Sequence, residues 1–124
     1  MLLKDFYTVV SIEHNTRQKL VAKIRLNAAH EIFAAHFPGN PVTPGVCMMQ
    51  IIKDLSEQQL GSDLFMNSLS TAKFVALVNP FLTPNLVFEI EIVEKGDNLF
   101  LVRNTTTFNE TVALKLSCTY TKCS

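Results

Sequence analysis

The sequence predicts an α+β fold in which one antiparallel sheet of about six strands packs around a long buried helix. The first indication is a helical segment from Pro44 to Leu60 whose first half is apolar on nearly every side. The second is the order of elements: two strands, a short helix, the long helix and about four strands, without a repeated strand–helix–strand unit. Because a helix that is apolar all round must be covered, one sheet wrapped around it gives a single shared core.

Length and composition favour one ordered domain spanning residues 1–124. Hydrophobic residues make up 48% of the chain and the net charge is zero, which argues against disorder and against nucleic acid as the main partner. No apolar run reaches the roughly 18 residues of a membrane span, and Lys4 and Asp5 interrupt the N-terminal segment, so we expect no signal peptide. The odd set of three cysteines has no metal-ligand spacing and favours a cytoplasmic protein without metal or cofactor: Cys47, Cys118 and Cys123.

The N-terminal part predicts a hairpin followed by a short helix. Strands are expected at Phe6 to His14 and Lys19 to Asn27, joined by a polar connection. In the second strand one face is apolar and is expected to point inward: Leu20, Ala22, Ile24 and Leu26. The segment from Ala28 to Ala35 has good helix formers and predicts a short helix that leads into the next loop.

Four strands are expected after the long helix. Leu69 to Asn79 carries apolar residues on both faces, which predicts a strand inside the sheet. Leu86 to Lys95, Leu99 to Phe108 and Thr111 to Thr121 alternate between apolar and polar residues. Turns are expected between these last three strands, at Gly96–Asn98 and at Asn109-Glu110.

The stretch from His36 to Gln50 (HFPGNPVTPGVCMMQ) contains three prolines and two glycines before it enters the long helix. Proline fixes φ and glycine allows backbone geometry that other residues avoid, so this loop predicts a rigid placement of His36. Thr43 is expected to cap the helix, with Pro44 in its first turn.

The long helix is expected to be enclosed in its first half and exposed only in its second half, ending before Gly61. Its two acids, Asp54 and Glu57, fall on the amphipathic half and are expected to face outward. Cys47 predicts a buried structural thiol more strongly than a nucleophile paired with His36. Three aromatic residues are expected in the core, where some could also line a ligand tunnel: Phe74, Phe81 and Phe88.

The loop resembles the signature motif of the hot-dog-fold 3-hydroxyacyl-acyl-carrier-protein dehydratases. Seven residues match that pattern: His36, Phe37, Pro38, Gly39, Pro41, Pro44 and Gly45. The order of elements also agrees, so the resemblance covers essentially the whole chain. It implies a hot-dog fold, and it implies that two subunits join their sheets edge to edge, with the active site between them. A homodimer or a higher even oligomer is therefore expected.

The resemblance implies removal of water from a 3-hydroxyacyl thioester, carried on acyl carrier protein in fatty-acid or polyketide biosynthesis. The product would be a trans-2-enoyl thioester. His36 matches the catalytic histidine, and the backbone amides of Gly45 and Val46 match the donors to the thioester carbonyl. Phe37 and Phe74 are expected to contact the substrate.

Two positions depart from the family pattern. The family's carboxylate, usually Glu, lies fourteen residues after the histidine, where this chain has Gln50. Pro84-Asn85 stands where the family often has Gly-Asp. An amide cannot protonate a leaving hydroxyl group, and a positioned acid is typically worth about 10²–10⁴ in rate.

Three functions therefore remain open from the sequence. In the first, His36 moves the proton alone while Gln50 holds the hydroxyl group or a water, although Gln50 could equally bond to neighbouring backbone. In the second, the chain is a catalytically impaired subunit that binds acyl thioester or completes a heterodimeric site with a Glu-bearing homologue. The third and least favoured is a hot-dog thioesterase, since its carboxylate would have to come from Asp54 or Glu57.

Overall fold

The computed structural model describes residues 4–13, 16–35, 39 and 41–123. His14, Pro38 and the two predicted site residues His36 and Phe37 lie outside the described residues. Eight elements follow one another along the chain: β1 (Tyr7–Glu13), β2 (Lys19–Leu26), α1 (Glu31–Ala35), α2 (Gly45–Leu60), β3 (Leu64–Phe74), β4 (Asn85–Gly96), β5 (Leu99–Phe108) and β6 (Thr111–Lys122).

The six strands form one antiparallel sheet in the order β1-β2-β4-β5-β6-β3. The alternation seen in the sequence sets its inner face, because Ala22 pairs with Phe88 and both are fully buried. The buried face continues across the sheet through Ile92, which pairs with Val102 on β5, and Val102 pairs with Cys118 on β6. The expected α+β class with one sheet and one long helix is confirmed.

Helix α2 lies against this inner face. Its buried residues recur at helical spacing and come from both halves of the helix: Cys47, Met48, Ile51, Ile52, Asp54, Leu55 and Ser56. Gly61 ends the helix in the left-handed conformation with φ of 66°, and its N–H donates to the Glu57 carbonyl, as the sequence predicts. The expected burial of Cys47 is confirmed.

The expectations for the two ends of α2 were partly wrong. Pro44, not Thr43, is the N-cap residue, and no side chain caps the helix. The first turn is not enclosed, because Val46 is 72% exposed on the side that the sheet of this chain does not cover. In the second half, Asp54 and Ser56 are buried although both are polar.

The prediction for β3 was also wrong. The strand runs from Leu64 to Phe74, earlier than expected, and residues 75–84 form a loop. It lies at the edge of the sheet, paired with β6 alone, and most of its side chains are exposed. Apolar residues on two faces of a strand normally indicate a central position, but here they lie on an uncovered edge.

The hairpin turns were predicted correctly. Asn98, Asn109 and Glu110 have φ of 59°, 48° and 65°, which Asn tolerates better than most residues. Within the described residues, no helix is long and apolar enough to cross a membrane.

Burial of one side of α2 predicts that substitutions on its two sides change the free energy of unfolding by different amounts. Ile51 is fully buried, so Ile51→Ala should lower the free energy of unfolding by about 2–5 kcal/mol through lost burial and a residual cavity. Gln58→Ala, on the exposed side of the same helix, should change it by less than about 0.5 kcal/mol. Urea unfolding followed by circular dichroism measures both, and equal midpoints would contradict this packing.

Candidate active site

The N-terminus of α2 presents two backbone N–H groups that no described residue accepts. Pro44 has φ of −61° and ψ of 140°, and its carbonyl accepts hydrogen bonds from the N–H groups of Cys47 at 3.0 Å and Met48 at 3.3 Å. Among the described residues, the N–H groups of Gly45 and Val46 meet no acceptor. Free N–H groups at a helix N-terminus, with the positive end of the helix dipole, can polarise a carbonyl oxygen. The role expected for Gly45 and Val46, as donors to a thioester carbonyl, stays a prediction.

Phe74, at the end of β3, lies directly over Gly45. A Cβ atom added to Gly45 would come within 2.6 Å of the Phe74 ring at Cζ, so only glycine fits beneath the ring in this position. Phe74 is 49% exposed and Phe81 lies in an exposed loop, so the expectation that both belong to the core was wrong, whereas Phe88 is fully buried. Phe74 instead covers the N-terminus of α2.

Three residues one helical turn apart form a stripe along α2: Val46, Gln50 and Asp54. Burial increases along this stripe, from the exposed Val46 through the half-buried Gln50 to Asp54, which is only 7% exposed. The Gln50 side-chain amide donates from Nε2 to Asp54 Oδ1 at 2.9 Å. The side-chain partner of Gln50 is therefore a carboxylate deeper in the helix, and not the neighbouring backbone.

Asp54 accepts a second hydrogen bond from a distant strand. The Tyr7 hydroxyl, on β1, donates to Asp54 Oδ2 at 2.9 Å. Burial raises the pKa of Tyr7, and the charge of Asp54 and their hydrogen bond raise it further. Tyr7 therefore remains a protonated donor at physiological pH, and each oxygen of Asp54 faces a donor.

The expectation that Asp54 faces outward was wrong. Amphipathic periodicity places a carboxylate on the polar side of a helix, but a buried carboxylate is tolerated when donors satisfy it. The spacing of Gln50 and Asp54, four residues apart on a helix, is a known side-chain pairing and could have indicated this contact. Tyr7 lies 47 residues away from Asp54, and no local pattern could have linked them.

A second feature is an open groove of about 700 Å³ beside the loop that contains Gly39 and Pro41. Its described lining residues include Phe33, Phe81 and Leu82, so it offers an apolar surface. None of Gly45, Val46, Gln50 or Phe74 is among them. The groove therefore lies next to the predicted histidine loop and apart from the Gln50–Asp54 pair.

The part of the chain that the structure describes contains no cluster of metal-ligating side chains, and its buried Cys47 thiol is not activated. No three His, Cys, Asp or Glu side chains there are close enough together to hold a metal ion. Burial raises the pKa of Cys47, which disfavours the thiolate that nucleophilic attack requires. The described part of the site thus presents backbone N–H groups, the Gln50 amide and the buried Asp54 carboxylate.

Sequence comparisons relate the chain to dehydratases. A sequence model of the family described as ApeI-like, ApeI dehydratase, matches residues 12–114. The 3-hydroxyacyl-[acyl-carrier-protein] dehydratase FabZ of Levilactobacillus brevis is 29% identical over 115 residues, covering 87% of this chain and 76% of that protein. FabZ of Enterococcus faecalis is 31% identical over 84 residues, covering 62% of this chain and 58% of that protein.

Solved structures share the fold at lower sequence identity. A chain of the dehydratase heterocomplex ApeI:P from Xenorhabdus doucetiae superimposes with a TM-score of 0.79 and 18% identity, covering 93% of this chain and 97% of that one. A hypothetical thioesterase with coenzyme A from Streptococcus pneumoniae TIGR4 gives a TM-score of 0.68 and 14% identity, covering 95% of this chain and 86% of that one.

Contact between Gly45 and Phe74 predicts strong coupling between the two residues. Gly45→Ala should destabilise the protein by about 1–3 kcal/mol, because the new methyl group must displace the ring. In a Phe74→Ala background the same change should be neutral or slightly stabilising, since alanine favours helix. Urea unfolding of the four proteins measures the coupling energy, and a value near zero would show that the ring does not restrict residue 45.

Proposed function

Because this chain belongs to the ApeI-like dehydratase family, we propose that it removes water from a 3-hydroxyacyl thioester to give a trans-2-enoyl thioester. The family resemblance of the sequence is thereby confirmed, and so is the hot-dog fold that it implies. The observation that carries the proposal is the pair of N–H groups at Gly45 and Val46, which meet no acceptor among the described residues and lie about one helical turn before Gln50. This arrangement supports binding of a thioester carbonyl with a hydrogen-bonding group nearby.

The proposed chemistry needs a base, an oxyanion site and a proton for the leaving group. His36 takes the proton from C2 of the substrate, and the charge that develops on the thioester oxygen is stabilised by the amides of Gly45 and Val46. Removing one such donor costs on the order of 3–4 kcal/mol in well-studied enzymes. The C2 electron pair then forms the double bond as the C3–O bond breaks.

The leaving hydroxyl group must acquire a proton to depart as water. Gln50 can accept or donate a hydrogen bond there, but its amide cannot transfer a proton. In the proposed reaction His36 returns the proton that it took from C2, so one histidine serves both steps. This predicts a slower enzyme than relatives with a carboxylic acid at the position of Gln50.

We propose acyl carrier protein as the carrier of the substrate, in line with the names of the FabZ relatives. We also propose that the active oligomer is a homodimer or a higher even oligomer. Exposed apolar side chains on the edge strand β3 and the loop that follows support this, because an uncovered apolar edge favours pairing with another chain: Phe65, Leu69, Phe74, Val75 and Leu77. Three free cysteines support a reducing, cytoplasmic location.

The second candidate is a subunit that needs a partner for full activity. Gln50 favours it, because a Glu-bearing homologue could supply the missing acid opposite His36. The structural likeness to a chain of the ApeI:P heterocomplex is compatible with such an assembly. The thioesterase alternative remains the weakest, because Asp54 is buried and each of its oxygens already accepts a hydrogen bond.

Purified protein mixed with a 3-hydroxyacyl-acyl-carrier-protein should form the enoyl thioester, because His36 and the two amides suffice for slow elimination. His36→Ala should lower the rate by about 10²–10⁴, since it removes the base. Mass spectrometry of the acyl-carrier protein measures the product.

The outcome of this experiment distinguishes the three candidate functions. Equal rates for the wild-type protein and His36→Ala would overturn the proposal for the homo-oligomer. Activity that appears only after co-expression with a Glu-bearing homologue would instead support the subunit function, and release of free acid would support the thioesterase.

Gln50→Glu should raise kcat by about 10²–10⁴, because it supplies the missing acid. The new carboxyl group would lie beside Asp54, at the 2.9 Å contact now made by the amide. Since two adjacent carboxylates cannot both ionise easily, one would hold its proton to higher pH, as a general acid requires. Gln50→Met is the matched control and should give no increase; a folded Gln50→Glu protein no faster than wild type would contradict the intact-site interpretation.

A further inference from the structure

The hydrogen bonds around Asp54 fix which end of the Gln50 amide the site presents. A carboxylate oxygen accepts hydrogen bonds, so the Gln50 group in contact with Asp54 Oδ1 must be the NH₂ nitrogen. Reversing the amide would set its carbonyl oxygen against the carboxylate and lose a charge-assisted hydrogen bond. Such a bond in a buried site favours one orientation by on the order of tenfold or more.

The orientation leaves the Gln50 carbonyl oxygen on the branch turned away from Asp54. Among the described residues, this Oε1 atom accepts no hydrogen bond. Gln50 is half-buried and lies one turn from Val46, on the stripe that opens at the helix N-terminus. An unsatisfied carbonyl oxygen at this place is suited to accept a hydrogen bond from a ligand hydroxyl group.

Tyr7 holds the Asp54 carboxylate in the position that orients the Gln50 amide. Its hydroxyl bonds the second oxygen of Asp54 at 2.9 Å, so the carboxylate cannot rotate away without losing that contact. Tyr7 is also held by the sheet, since it pairs with Leu26 at the start of β1. The chain of contacts thus runs from strand β1, through the buried carboxylate of Asp54, to the half-buried amide of Gln50.

We propose that Asp54, held by Tyr7, is a positioning residue that turns the Gln50 carbonyl oxygen toward the substrate, so that the site recognises the 3-hydroxyl group as a hydrogen-bond donor. This inference rests on the proposed function for the class of substrate. It assigns to Gln50 the binding of the hydroxyl group, and it assigns to Asp54 and Tyr7 the selection of the amide orientation.

Ligand discrimination tests this role without depending on turnover. In a His36→Ala protein, which cannot convert the substrate, we would measure the dissociation constants of (3R)-3-hydroxyoctanoyl-pantetheine and octanoyl-pantetheine by calorimetry. The hydroxylated thioester should bind about tenfold tighter, since the unsubstituted thioester leaves the Gln50 oxygen unpaired. Butyryl and dodecanoyl pairs extend the comparison to other chain lengths.

Asp54→Asn should reduce this ratio to near one, because asparagine can donate to or accept from the amide and no longer selects its orientation. Tyr7→Phe should reduce it several-fold, since Asp54 loses one of its two anchors. Asp63→Asn, which removes an exposed carboxylate just beyond the same helix, is the control and should leave the ratio unchanged. A general loss of fold or affinity would affect both ligands and cancel in the ratio.

A double-mutant cycle shows whether Asp54 acts through Gln50. Gln50→Leu should abolish the preference for the hydroxylated ligand, and adding Asp54→Asn should then cause no further change in the ratio. A ratio that stays near tenfold in both Asp54→Asn and Tyr7→Phe would overturn the inference. The inference would also be overturned if the His36→Ala protein itself showed no preference for the hydroxylated thioester. If Asp54→Asn fails to fold, the ratio measured for Tyr7→Phe decides between the outcomes.

Failure of the inference can be distinguished from failure of the proposed function. Absence of enoyl product from the wild-type protein, with the ligand preference intact, would reject the dehydration and keep the positioning role. Normal turnover with no preference for the hydroxylated ligand would keep the dehydration and reject the positioning role.

Discussion

Burial of Asp54 is the constraint on which the site depends. Helix α2 packs its inward face on the sheet, and most of the residues beside Asp54 on that face are apolar. A carboxylate in such a place is costly unless donors satisfy it. Tyr7 from β1 and Gln50 from the preceding turn provide them, at 2.9 Å each. The need to satisfy one buried group thus connects an edge strand, the central helix and a predicted catalytic position.

The graded burial of the Val46–Gln50–Asp54 stripe explains how a structural contact can serve a chemical site. The helix begins at an exposed surface, at Val46, and it enters the core within two turns. Gln50 lies at the boundary, so that one end of its amide is paired internally and the other end is available. Phe74 covers the same N-terminus at a distance that only glycine at residue 45 allows.

The sequence was sufficient to predict the elements that have strong periodicity and clear turn or capping residues at their ends. β2, β4 and the end of α2 at Gly61 follow from alternation and from glycine geometry, and one sheet around one long helix follows from the order of elements. The hot-dog fold was implied by the resemblance of the His36 loop to the dehydratase motif. The sequence was insufficient where burial depends on which other element covers a side chain. β3 has the pattern of a central strand but lies at an edge of the sheet, and Val46 is apolar but exposed. Gly45, Val46 and Gln50 lie on one helix, but the roles predicted for them stay predictions, whereas the Tyr7–Asp54 contact depends on tertiary packing alone. His36 and Phe37 remain predictions from the motif.

The Gln50–Asp54 pair also changes what the loss of the family's acid means. A glutamine that merely replaced glutamate would be free to rotate, and its two ends would bind a hydroxyl group without preference. Here a carboxylate is present on the same stripe, one turn deeper, and it accepts hydrogen bonds where the family's acid would donate a proton. In the proposed site, residue 50 therefore supplies a fixed hydrogen-bond acceptor where a glutamate would supply a proton. Such an exchange preserves recognition of a 3-hydroxyacyl group while slowing its dehydration, and this combination suits both a slow homo-oligomeric enzyme and a subunit completed by a partner's acid.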